Sequence, residues 1–276
     1  MKIIYRISDA GYKKVKPEYA NNKNCLKNAS EVFKENCDWH VIADNVCPET
    51  RSMIETFQSN VDYVSIGHGA GTFNIALDKA LKFDDEEIVY FLENDYLHLQ
   101  NSQNAIIEGL TFADYTTLYD HPDKYGGHSG LHPAMNPLCY PACAPLYEKV
   151  AENTITSSKS KDFVSSWKFM PQFDQNGANP LCEGGAENTK VYCGPLSHWK
   201  LTNSTTMTFA AKVKTLKSDE GILREYTKGS HPNDFQMFLA LGKKQRTLSS
   251  PIPSYSTHGE ERFIARHIKW DEIFKN

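Results

Sequence analysis

Glu86-Glu87-Ile88-Val89-Tyr90-Phe91-Leu92-Glu93-Asn94-Asp95-Tyr96-Leu97-His98 is the stretch whose reading decides the fold. Between two acidic steps lies an almost purely apolar run, Ile88 to Leu92, and such a run reads as a central strand buried on both faces. Glu93 and Asp95 stand two apart, so in an extended backbone both side chains leave the same face of the sheet. Ligands of open α/β sheets bind beyond the carboxyl ends of their strands. Two carboxylates there suit a hard divalent cation, Mg2+ or Mn2+, which in turn would hold the phosphates of a nucleotide. The plain alternative is a solvated polar strand end.

Upstream of this strand the chain alternates between two periodicities. Ile3 to Ile7 is β-prone and is followed by turn chemistry at Ser8-Asp9-Ala10-Gly11, then by Lys13, Lys14, Lys16 and Pro17, which read as an exposed loop. Asn24 can cap a helix with Leu26, Ala29, Val32 and Phe33 at helical spacing. Trp39 to Ala43 is a second strand, ending in Asp44-Asn45, and Pro48-Glu49-Thr50 opens a second helix. Val61 to Ile66 is a third strand. It feeds Gly67-His68-Gly69-Ala70-Gly71-Thr72 and a helix through Phe73, Ala76, Leu77 and Ala80. Alternation of this kind predicts a parallel βαβ sheet. The glycines, Gly69 and Gly71 among them, would let backbone approach a phosphate at a helix N-terminus; they also suit a tight turn that packs helix on strand.

Downstream of Asp95 the alternation stops. A short helix is expected from Asn104 to Leu110 and a strand over Tyr115–Tyr119. Residues from about Lys124 to Gly194 are rich in Gly, Pro, Ser and Asn and read as a long irregular segment. His128 and His132 lie there, four apart, but the Gly-Pro setting is not helical and does not favour a zinc site. Strand character resumes at Lys190–Cys193, His198–Leu201 and Thr205–Ala210. Ser218-Asp219-Glu220 reads as a helix start, Pro232-Asn233-Asp234 as another, Pro251 to Glu260 as an extended segment, and Trp270 to Phe274 as a short final helix. With no internal repeat or linker in view, one domain over 1–276 is expected, with a regular first part (about 1–100) and a less regular second part (about 101–276).

Bulk properties narrow the function. The 276 residues carry a net charge of -4 and a pI near 6.2, so no basic field invites nucleic acid. Mean hydropathy is -0.53, and no apolar stretch approaches the roughly 18 residues of a membrane span. Met1-Lys2-Ile3-Ile4-Tyr5-Arg6 is interrupted by charge at once and does not read as a signal peptide. The seven Cys form no C-x-x-C pair, which points to reduced thiols and a cytoplasmic protein.

The succession of βα steps, a strand ending in acidic residues and a less regular second half resembles the GT-A fold of nucleotide-sugar glycosyltransferases. Glu93-Asn94-Asp95 stands where that superfamily carries its Asp-x-Asp motif, with Glu and Asn departing from the pattern. Phe91 to His98, Trp199 to Thr206, Pro232 to Gln236 and Ser256 to Glu260 also resemble a group of bacterial and large-virus glycosyltransferase-like proteins. The resemblance implies a nucleoside diphosphate sugar donor, a glycan acceptor, and hexosyl or pentosyl transfer. It implies Mn2+ or Mg2+ held by Asp95 and His258 with Glu93, and a nucleoside held by Arg6, Ser8, Asp9 and Asp44. The donor site would also include Gly69, Gly71 and Asn94. Trp199 would stack on an acceptor sugar, and Asp234 would be the base of an inverting displacement. A sugar nucleotidyltransferase on a similar sheet is the enzymatic rival; it would normally show a Gly-rich, Arg/Lys-bearing loop after the first strand, where this chain has Lys13, Lys14 and Lys16 but only Gly11. A non-catalytic glycan-binding protein is the other.

Overall fold

The computed structural model describes residues 1–10, 14–121, 191–203, 205–265 and 268–274. Its centre is a nine-stranded sheet flanked by helices, in the order β3-β2-β1-β4-β9-β6-β10-β8-β7. The strands are β1 (Lys2–Ser8), β2 (Asp38–Asp44), β3 (Val61–Val64), β4 (Ile88–Glu93), β6 (Tyr115–Thr116), β7 (Val191–Cys193), β8 (His198–Leu201), β9 (Phe209–Lys212) and β10 (Leu248–Ile252). Two further strands, β5 (Tyr96–His98) and β11 (Ser256–His258), form a separate antiparallel ribbon. The four strands β3, β2, β1 and β4 are mutually parallel, as the alternation predicts. In the second half β9 and β8 run against their neighbours, so the sheet is mostly but not wholly parallel.

The helices are α1 (Asn22–Val32), α2 (Pro48–Phe57), α3 (Gly69–Ala80), α4 (Ser102–Gly109), α5 (Val213–Glu225), α6 (Asp234–Lys243) and α7 (Trp270–Phe274). Side-chain alternation along β1 and β4 divides the core into two layers. Ile3, Tyr5, Ile7, Tyr90 and Leu92 pack with Leu26, Ala29 and Phe33 of the α1 region and Ile54 of α2. Ile4, Val89 and Phe91 face Phe73 and Leu77 of α3, Leu216 of α5 and Phe238 of α6. Both faces are therefore covered, which is why Ile88–Leu92 has no polar member.

Several expected boundaries move. Asn21, not Asn24, caps α1; its side chain accepts the Asn24 N–H at 2.9 Å. The strand at 115–119 shortens to Tyr115–Thr116, and the one at 205–210 becomes Phe209–Lys212. Helix α5 begins at Val213, five residues before Ser218, because Asp219 is no cap. It is buried, and accepts from the Tyr115 hydroxyl (2.8 Å), Lys244 Nζ (2.6 Å) and Arg246 Nε (2.8 Å). The extended segment 251–260 contains the end of β10 and all of β11. The irregular segment from Lys124, with His128 and His132, lies outside the described residues up to residue 190. Among the described residues no helix is long and apolar enough to cross a membrane.

Candidate active site

The carboxyl ends of β1, β2 and β4 open into a cleft of about 790 Å³. Arg6, Ser8, Asp9, Asp44, Gly69, Glu93, Asn94, Asp95, Asp234 and His258 all line it. The sequence scatters these residues over more than 250 positions; the strand ends bring them together. Gly71 and Trp199 are not among its lining.

Register explains the innermost contacts. Arg6 lies opposite Glu93 on the paired strands β1 and β4, and its Nη2 donates to Glu93 Oε1 at 3.1 Å. The same guanidinium donates to the carbonyls of Gly69 (3.1 Å) and Met207 (3.0 Å). Arg6 is thus a buried strut joining β1, β4, the start of α3 and the 207 loop. Asp44 is similarly spent on architecture. Its carboxylate accepts the N–H groups of Ile66 (2.6 Å) and Gly67 (2.9 Å) and so fixes the turn in which Gly67 sits at φ +83°. Asp9 accepts the Cys47 N–H at 2.8 Å and the Thr50 hydroxyl at 3.1 Å, tying the β1 loop to the start of α2. Ser8 Oγ accepts the Ala10 N–H. Gly71 serves close packing: an added Cβ would lie 2.8 Å from His68 Cε1, and closer still to Ile66 Cγ2. The His68 ring caps α3 by accepting the Gly71 N–H at 3.0 Å.

Glu93 and Asp95 do not share a face as an extended backbone would place them. β4 stops at Glu93, Asn94 and Asp95 form a turn into β5, and the two carboxylates take different partners. Asp95, 4% exposed, meets His258 because β5 and β11 pair Tyr96 with His258. Gly259 permits the approach: its N–H donates to the Asp95 carbonyl at 2.6 Å, and a Cβ there would stand 2.9 Å from that oxygen. Asp95 Oδ2 then lies 3.4 Å from His258 Nε2, 2.6 Å from Lys14 Nζ and 3.9 Å from Lys16 Nζ. Burial works against the Asp95 carboxylate, but His258, Lys14 and Lys16 outweigh it and hold its pKa well below the usual range. Burial lowers the His258 pKa to about 4, against the pull of Asp95. Lys14 and Lys16, expected as an exposed loop, are therefore part of the cleft. The Lys-rich run close to a strand end was the signal for them.

The expected Mn2+ or Mg2+ does not fit these residues. His258 Nδ1 accepts the Glu260 N–H at 3.2 Å, so the proton of the ring sits on Nε2 and points at Asp95. A metal-ligating imidazole has the reverse arrangement, donating from one nitrogen and binding through the lone pair of the other. Glu93, the third expected ligand, is paired with Arg6 instead. Among the described residues no group of three or more His, Cys, Asp or Glu side chains could hold a metal ion. Asp95 Oδ1 is buried without a hydrogen-bond partner, but a single orphan oxygen beside a lysine is not a coordination sphere.

Asp234 opens α6 on the far wall of the cleft. Asn233 does the capping, accepting the Gln236 N–H at 3.2 Å, so the Asp234 carboxylate is not consumed as the cap. Burial pushes its pKa up to about 7; the Phe235 N–H opposes this and the Glu93 charge adds to it. Trp199 is elsewhere. It is 0% exposed, packs edge-on against Phe112, and donates its indole N–H to Glu108 Oε1 at 2.7 Å. A ring sealed in the core cannot stack on an acceptor sugar, so the expected role is corrected.

No family model matches the chain, and no curated protein matches it. Solved structures do align with it. One is the galactosyltransferase LgtC in complex with donor and acceptor sugar analogues, at 10% identity over 91% of this chain and 73% of that one, TM-score 0.40. Staphylococcus aureus TarS 1–349 aligns at 12% identity over 92% of this chain, which spans 59% of that one, TM-score 0.44. The 4-diphosphocytidyl-2C-methyl-D-erythritol synthase of Anaerococcus prevotii aligns at 11% identity over 100% and 93%, TM-score 0.46. All three TM-scores lie below 0.5, and the chemistry of the cleft has to be read from its own side chains.

Proposed function

We propose that the chain is a GT-A-like glycosyltransferase that moves a hexosyl or pentosyl group from a nucleoside diphosphate sugar to a glycan hydroxyl. The observation that carries this is Asp234: a carboxylate facing the strand-end cleft, released from capping by Asn233 and tuned to a pKa of about 7. A general base works best when its pKa lies near the working pH. In the step, the acceptor O–H gives its proton to Asp234 while its oxygen bonds the anomeric carbon. The bond from that carbon to the diphosphate breaks, and its electron pair leaves with the diphosphate. A single displacement of this kind inverts the anomeric configuration. Incubation with a panel of nucleotide sugars and a glycan mixture should release nucleoside diphosphate and give an inverted product. A retained configuration would remove Asp234 from this role.

A second reading has its own support. Lys14 and Lys16, in the loop after β1, line the cleft, and a basic loop there is what a sugar nucleotidyltransferase would use on a nucleoside triphosphate. Pyrophosphate release from a nucleoside triphosphate and a sugar phosphate, with no turnover of nucleotide sugars, would establish that reading and end the first.

A further inference from the structure

We infer that the phosphate-neutralising cation of this site is built into the chain: the ammonium groups of Lys14 and Lys16, gathered by Asp95, occupy the place of a divalent metal. The inference rests on the nucleoside diphosphate sugar reading and concerns how that donor is held.

Three observations converge. Lys14 Nζ contacts Asp95 Oδ2 at 2.6 Å and lies 3.4 Å from His258 Nε2, two of the three groups expected to hold the metal. Lys16 stands 3.9 Å from the same oxygen, and both lysines line the cleft. The His258 ring accepts at Nδ1 and so turns a proton, not a lone pair, toward Asp95. Lys14 is a donor only, so its nearness to Nε2 is not a hydrogen bond; ammonium and imidazole converge on one acceptor. A buried carboxylate that fixes two flexible lysines also removes much of the entropy cost of presenting them to a ligand. The ligand that suits such a point charge is a diphosphate, bound by a lysine as a compact cation rather than by a guanidinium fork.

The test is calorimetric titration of the whole chain with UDP, CDP, GDP and ADP, first in EDTA and then in Mn2+. One of the four should bind in EDTA, and Mn2+ should change its Kd by less than about threefold. Lys14→Ala and Lys16→Ala should each weaken that binding by about tenfold or more, the scale of a lost charged hydrogen bond. Circular dichroism checks that each variant is folded. Should Lys14→Ala not fold, Lys16→Ala and a second measurement carry the test: Mn2+ titrated into the wild-type protein should keep the full six-line resonance of the free aquo ion. Binding that requires Mn2+, or loss of that resonance at equimolar protein, overturns the inference and leaves the sugar-transfer reading standing. Absence of nucleoside diphosphate binding in both buffers overturns both.

Discussion

Asp234→Asn should make the protein more stable and less active at once, and the two effects have different pH dependences. The folded protein holds the carboxyl at about 7 against an ordinary 3.8. Because the folded value lies above the unfolded one, ionised Asp234 opposes folding. Below pH 4 both states hold the proton and nothing is lost. The penalty grows as pH rises from there and is complete above about 7. Each pH unit across that window carries about 1.4 kcal/mol, which sets a ceiling of about 4 kcal/mol at pH 8. Asp234 is only partly buried, and solvent screening reduces the expected penalty to about 1–3 kcal/mol. Asparagine carries no charge and fills the same volume, so thermal melts at pH 8 should rise by about 2–8 °C. Melts at pH 4 should hardly move. Turnover should fall by about 100-fold or more, with donor affinity unchanged. Equal melting temperatures at both pH values, with turnover within about tenfold of wild type, would show Asp234 to be a solvated first-turn carboxylate.

The pH profile of kcat/KM should follow ionisation of the same group, rising about tenfold per pH unit below 7 and levelling above it; a flat profile across that range refutes the assignment. Arg6→Ala should destabilise the fold by about 3–5 kcal/mol in urea titrations, because the Glu93 carboxylate and two carbonyls lose their shared donor. A loss under about 1 kcal/mol would mean that the guanidinium is not the strut described. Trp199→Ala should cost about 3–5 kcal/mol of stability, whereas Trp199→Phe should leave the KM for acceptor unchanged. A sharp rise in that KM would return the ring to the acceptor site.

How much of this was legible in the sequence follows from what each residue depends on. Strands β1 to β4 and helices α1 to α3 announced themselves because burial on two faces or one forces a visible period on the residues. The strand-end location of Glu93, Asp95 and Asp44 followed from where those runs stop. What each carboxylate does was not legible, since that depends on partners far off in the chain. Arg6 meets Glu93 only through the register of β1 on β4, and Asp44 meets Gly67 only once β3 lies beside β2. Ser218-Asp219-Glu220 reads as a helix start because those residue types suit a first turn, yet Asp219 is a buried carboxyl group serving Tyr115, Lys244 and Arg246. The true start of α5 has no side-chain cap to signal it. For Trp199, composition gives no way to tell a sealed ring from an open one; burial against Phe112 and the bond to Glu108 arise only in the folded chain.

The β5–β11 ribbon sets an order on when the site can exist. Asp95 and His258 are joined through the pairing of residues 96–98 with 256–258, so a growing chain presents the carboxylate and its lysine loop long before the imidazole is made. A ribosome-bound fragment ending short of Ser256 would hold the first four strands and much of the cleft wall, yet leave Asp95 without its cross-strand neighbour. The centre is therefore closed only after residues 256–258 have emerged. A cut between Ile252 and Ser256 would leave Asp95 and Lys14 on one piece and His258, Glu260 and Phe263 of the cleft wall on the other.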